Sequence, residues 1–180
     1  MSRADEIARR TSAERFRRGR AMLSSELTRL LGTRTLIEPL SSAARAAQLD
    51  SAFVQAHAET EDLEWARVAH WWEADETDTL VETLHRMSAL LGTRLVWLIV
   101  GGTEPQVASL VSDKVLDNPL GFGGLAGDDL RLLDQEVPAG IWLTRHTYHG
   151  ATQTQFRWEF EAWGAEPWLS AATRALRGEG

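Results

Sequence analysis

Across residues 153–164 bulky apolar and charged side chains alternate. Phe156, Trp158 and Phe160 fall on one parity, Arg157, Glu159 and Glu161 on the other. Successive side chains leave opposite faces of a pleated strand, so this alternation predicts a strand with one buried face. Residues 140–149 read as its antiparallel hairpin partner. Two registers are open. One places Trp142, His146 and Tyr148 beside Arg157, Glu159 and Glu161 on an outer face and sends Ile141 and Leu143 inward. A slip of one residue exchanges the sets. Ile141 and Leu143 are the better core residues, which favours the first.

Upstream the chain reads as helical. A capping box at Thr11-Ser12-Ala13-Glu14 predicts a helix start, and apolar positions recur at Phe16, Met22, Leu23, Leu27, Leu30 and Leu31 up to a glycine stop at Gly32. Residues 1–11 are then an arginine-rich arm, either frayed or an earlier helical turn. Residues 33–38 are a short strand candidate cut off by Pro39. Residues 41–57 are helical, with Phe53 and Val54 inward and Asp50-Ser51 as a break point. Thr60-Glu61-Asp62 suits a further helix start, and Trp65, Val68, Ala69 and Trp72 follow at the spacing of one helical stripe. A second capping box over residues 79–82 opens a helix with Leu80, Leu84, Met87 and Leu91 on one side, closed by Gly92. The string Leu-Leu-Gly-Thr-Arg stands at 30–34 and again at 90–94. Two similar helix-to-strand junctions account for it more simply than an internal duplication.

The second half turns to strands: 94–100, then 106–112, which fits both periods and is read as a strand, then 129–136, 141–148 and 153–164. Asp117-Asn118-Pro119 breaks the chain. Pro167 suits the first turn of a last helix with Trp168, Leu169, Ala172 and Leu176 inward. The sum is an α+β fold: a helical N-terminal half, an antiparallel β-meander of about five strands, and a C-terminal helix. Beyond the arm, residues 12–180 form a single domain, helical over 12–92 and sheet plus closing helix over 93–180. At 180 residues the chain is long enough for one core without staples.

There is no cysteine, which excludes disulfides, thiolate metal sites and a cysteine nucleophile. The longest apolar run, 95–100, is far short of a membrane span, and residues 1–20 carry no secretory pattern. A cytoplasmic location is the expectation. The net charge of −7 is uneven. Residues 1–20 hold seven arginines against three acids, a balance of +4 that leaves −11 for the rest.

Acids crowd residues 59–82, with Trp65, Trp71 and Trp72 among them. A helix with Trp65 and Trp72 inward turns Trp71 outward, onto an acidic face suited to a basic protein. The same charges suit a merely solvated face. Gly121, Gly123, Gly124 and Gly127 read as a surface loop, because Asp128-Asp129 follow and no lysine is near to hold phosphate. His146 and His149 fall on opposite strand faces, a poor arrangement for one metal. Glu159 and Glu161 share a face, as idle carboxylates on exposed sheets commonly do. No serine stands in a nucleophile elbow. No catalytic residue, metal or cofactor is assigned.

Several strings together suggest a family. They are Trp71-Trp72, Leu95-Val96-Trp97-Leu98-Ile99-Val100, Asp117-Asn118-Pro119, Asp128-Asp129-Leu130-Arg131-Leu132-Leu133, Pro138-Ala139-Gly140-Ile141-Trp142-Leu143 and Phe156-Arg157-Trp158-Glu159-Phe160. Over residues 60–163 this layout resembles the small acidic α/β immunity proteins of bacterial polymorphic toxin systems. The resemblance implies a binding protein whose partner is a basic protein, such as a toxin nuclease. The contact residues expected are Glu64, Trp71, Glu73, Asp75, Glu76, Asp128 and Asp129. Three alternatives stay open. One is a chaperone for a secreted effector, which an obligate homodimer would favour. Another is a small-ligand or enzymatic domain using Trp142, His146, Tyr148, Arg157 and Glu159. The last is nucleic-acid binding through the arm, disfavoured by the acidic body and the lack of a nucleic-acid motif.

Overall fold

A computed structural model describes residues 2–32, 40–60, 63–101, 104–149 and 154–180, with the side chains of Glu64 and Thr154 outside that description. The expected strand at 33–38 and the helix start at Glu61-Asp62 fall outside the described residues. The elements in order are α1 (Arg3–Leu31), α2 (Ala43–Thr60), β1 (Arg67–Glu73), α3 (Thr77–Leu91), β2 (Leu95–Val100), β3 (Gln106–Val111), α4 (Ser112–Leu116), α5 (Pro119–Leu125), β4 (Asp129–Asp134), β5 (Ala139–His149), β6 (Thr154–Gly164) and α6 (Trp168–Leu176). The strands form one antiparallel sheet in the order β1-β6-β5-β4-β2-β3. The architecture is α+β, as the sequence predicts, with six strands rather than five.

The sixth strand is the main correction. Trp65, Val68, Ala69 and Trp72 were expected on one helical stripe, yet residues 67–73 are β1. A short 3-10 turn at Glu64–Ala66 precedes it. Trp72 is buried as expected, but Trp65 is 78% exposed. The residues of β1 fit both periods, and pairing with all seven residues from Arg157 to Trp163 of β6 decides for the strand.

Other boundaries moved for local reasons. α1 starts at Arg3, because Ser2 and Asp5 form the capping box and the Thr11 hydroxyl instead bonds back to the Ile7 carbonyl. α1 and α3 stop at Gly32 and Gly92, whose φ angles of 77° and 69° favour glycine. α2 runs through Asp50-Ser51 without a break; Phe53 is buried and Val54 is half exposed. The expected glycine loop is largely a helix. Asn118 caps α5 by accepting from the Gly121 N–H, and Pro119 occupies its first turn. α3 starts at Thr77, two residues before the capping box expected at 79–82.

The sheet is packed on both faces. On its inner face Val96, Leu98, Leu132, Ile141, Leu143, Trp158 and Phe160 meet Leu80, Leu84 and Met87 of α3, Trp168 and Ala172 of α6, and Leu23 and Leu27 of α1. On its outer face Ile99, Val107, Leu133 and Trp163 meet Leu49 and Phe53 of α2 and Phe16 of α1. α1 reaches both clusters because it passes the β3 edge, where Gln106 Nε2 donates to the Phe16 carbonyl. The face that buries Phe16, Leu23 and Leu27 continues N-terminally as Ser12, Arg9 and Asp5. It has nothing apolar to bury there, and no residue from Arg3 to Arg15 is buried.

One buried carboxylate ties the inner layer together. Asp134 at the end of β4 accepts from Arg94 Nε at 2.5 Å, Trp168 Nε1 at 2.7 Å, and the backbone N–H groups of Glu136 at 2.7 Å and Val137 at 3.1 Å. Burial alone would raise its carboxyl. The bonds from Arg94, Trp168 and the two backbone amides outweigh burial and hold it below the usual carboxylate range. The same contact raises the Arg94 guanidinium.

Candidate functional site

The observed hairpin register is the favoured one. Trp142 lies opposite Glu161, Leu143 opposite Phe160 and His146 opposite Arg157. Ile141 and Leu143 are therefore buried, and Trp142, His146 and Tyr148 share the outer face with Arg157 and Glu159.

β1 then brings in the second set of candidates. In register, Glu73 faces Arg157 and Trp71 faces Glu159. One row across the outer face reads Asp129, Thr144, Glu159, Trp71, and the next reads Arg131, Trp142, Glu161, Ala69. In the sequence the acidic tryptophan cluster and the hairpin face read as separate surfaces. They are neighbouring parts of one sheet face, left open where α2 ends at Thr60.

The centre of that face is a cavity of about 220 Å³ lined by His57, Arg67, Trp142, Thr144, His146, Glu159 and Glu161. Glu161 accepts from His57 Nε2 at 2.5 Å and from Arg67. Glu159 meets His146 Nε2 at 3.1 Å and Arg157. The Thr144 hydroxyl also lies 3.1 Å from His146 Nε2. Arg67 and Arg157 each use Nη2 on a glutamate, while their buried Nε groups have no partner among the described residues. Arg131 stacks over the Trp142 ring at 5.0 Å, and Arg157 lies 5.0 Å from the Tyr148 ring centre. Sequence reading missed His57 and Arg67. The parity of Arg67, Ala69, Trp71 and Glu73 would have signalled Arg67 once β1 was taken as a strand. His57 reaches the site only because α2 ends over β6, which no local pattern encodes.

At the sheet edge, Trp71 is 61% exposed. Glu73, Asp75, Glu76 and Asp78 follow it, all exposed, and none of the four has an ion pair among the described residues. The Glu76 carboxylate accepts the Glu73 N–H and so shapes the turn between β1 and α3. Asp128 and Asp129 stand apart from this turn. Asp128 pairs with Arg145. Asp129 holds Arg131 at 2.6 Å and accepts from Trp142 Nε1 at 2.6 Å. Their charge is internally matched, whereas that of the turn is not. Glu64 lies in the 3-10 turn before β1.

Among the described residues, no group of three or more histidine and acidic side chains is arranged to hold a metal, and no helix is long and apolar enough to cross a membrane. No protein-family model, curated protein or solved structure matches the chain.

Proposed function

We propose that this chain is a cytoplasmic protein-binding inhibitor of the immunity type, engaging a basic partner protein such as a toxin nuclease. The observation that carries the reading is the pairing of an exposed indole with unmatched acids: Trp71 on the edge strand, then Glu73, Asp75 and Glu76 on the adjoining turn. Aromatic anchors supply interface energy when a partner desolvates them, and unmatched charge steers the partner in. Asp128 and Asp129 contribute less, since arginines of the same chain already meet them.

The test is capture from the native lysate at low and high salt, followed by mass spectrometry. The expected result is one dominant basic protein, released by salt as screened charge contacts are. Trp71→Ala should weaken that capture by roughly 30-fold or more, the scale of an aromatic hot spot, without changing the melting temperature. Unchanged affinity for Trp71→Ala and Asp75→Ala would remove this surface from the interface.

The cavity favours a second reading, a small polar ligand held between the two glutamates and Trp142. A thermal-shift screen against small polar metabolites addresses it. A hit abolished by Glu159→Gln but retained by Asp75→Ala would support it in place of the first.

A further inference from the structure

We infer that the free edge of β1 pairs antiparallel with β1 of a second copy of this chain, joining two six-stranded sheets into one. The two edges of the sheet differ. At the β3 edge the Ser41 N–H bonds the Val107 carbonyl, Gln106 bonds Phe16 of α1, and Arg20 Nη2 of α1 reaches the Leu40 carbonyl at 2.8 Å. That edge is covered. Among the described residues β1 pairs with β6 alone. Edge strands are usually protected by proline, lysine, a bulge or a covering loop, or by other charged side chains, which β1 carries only at its two ends, Arg67 and Glu73. β1 has none of the first three: Arg67-Val68-Ala69-His70-Trp71-Trp72-Glu73 pairs over all seven residues without interruption. Exposed apolar side chains also collect there, with Leu63, Trp65 and Trp71 within nine residues.

The sequence of β1 complements itself. A two-fold axis normal to the sheet keeps each face continuous, so opposed residues must share parity. Centred on His70, it sets Arg67 of one copy, whose Nη2 also holds Glu161 of its own chain, against Glu73 of the other, twice. It also sets Ala69 against Trp71 on the outer face and Val68 against Trp72 on the inner face. Opposite charges and large–small pairs directly across strands are the favourable combinations. Sliding one copy by two residues places Arg67 against Trp71 or leaves it overhanging, and both ion pairs are lost. The seam is only one strand pair wide, which puts it at the small, reversible end of interface sizes. Each subunit therefore folds alone, and dimerisation depends on concentration. This inference goes beyond the proposed inhibitor role: Trp71 and Glu73 lie in the seam, so a second copy and a basic partner compete for them, while Asp75, Glu76 and Asp78 stay outside it.

The absence of cysteine makes the register directly testable. Only residue 70 faces itself. His70→Cys places two thiols at the spacing of opposed strand residues, within disulfide range. Ala69→Cys alone places them about 8 Å apart at the Cα atoms by strand geometry, outside that range. Under mild oxidation His70→Cys is expected to form a covalent dimer and Ala69→Cys to remain monomeric. Mixed Ala69→Cys and Trp71→Cys chains should give the heterodimer. Light scattering of the unaltered chain should show the mass rising from 20.1 kDa toward twice that value between about 1 and 100 µM, the range for a seam this small. A constant monomer mass over that range, or His70→Cys cross-linking no faster than Ala69→Cys, overturns the pairing. Asp75→Ala separates the two readings: it lowers capture of a basic partner and leaves the dimer mass unchanged.

Discussion

Replacing Asp134 by alanine should be among the most damaging changes available in this chain. The carboxylate is fully enclosed, whereas the Arg94 side chain is 19% exposed. Its removal leaves the buried Trp168 N–H and the backbone amides of Glu136 and Val137 without their acceptor, and leaves Arg94 only Glu136 at 3.3 Å. Breaking a buried ion pair from one side costs about 3–5 kcal/mol. Orphaned buried donors cost about 1–3 kcal/mol each when counted alone. These terms overlap, so the expected loss is about 4 kcal/mol. For a domain of this size that lowers the melting temperature by roughly 8–16 °C. Urea titration followed by tryptophan fluorescence measures it as a lower midpoint at unchanged slope. The pH dependence has a fixed sign. The folded carboxyl titrates below its unfolded value, so near pH 4 the unfolded chain binds more protons. The stabilisation is complete above the unfolded value of about 3.9 and is lost as pH falls through the folded one. Asp134→Ala should lack that part of the acid loss. A variant within about 1 kcal/mol of the parent, or one with the parent's full acid dependence, would refute the role assigned to this carboxylate.

Phe53→Ala should cost about 3–5 kcal/mol in the same titration, because Phe53 fills the cluster under α2 and meets Trp142 and Trp163 edge-on at 5.8 and 5.4 Å. Gly140→Ala should cost at least about 1–3 kcal/mol or prevent folding, since a Cβ there collides with the Leu132 carbonyl oxygen on β4. Circular dichroism and soluble yield distinguish these outcomes from tolerance. Deleting residues 2–12 should shift the melting temperature by less than about 2 °C, because no residue from Arg3 to Arg15 is buried. A larger loss would mean that the projecting half of α1 packs on the body.

The parts of the fold legible in the sequence are those whose cause is local. Helix ends at Gly32 and Gly92, the apolar stripe of α3 and the β5–β6 alternation each follow from residues close together in the sequence. Hairpin register followed from comparing two side-chain sets as core material. The helix at Asn118-Pro119 was legible in principle, as a cap followed by proline, but the glycines behind it drew the reading toward a loop. β1 was not legible, because its side chains satisfy both periods and its partner strand lies far along the chain. The candidate surface inherited that difficulty. Trp71 and Glu159 were each singled out, but only the pairing of β1 with β6 makes them neighbours.

That pairing also dictates an order of events when the chain is made. β1 ends at Glu73 and β6 begins at Thr154, so about eighty residues must be synthesised after β1 before its partner exists. At roughly 5–20 residues per second the wait is roughly 4–16 s. Throughout it β1, with Trp71-Trp72, lacks the strand it pairs with in the fold. A nascent chain arrested near residue 92 would thus hold complete sequences for α1, α2 and α3 around a strand with nothing to pair with. Synthesis of β6, rather than completion of the helices, is the step that gives β1 its partner.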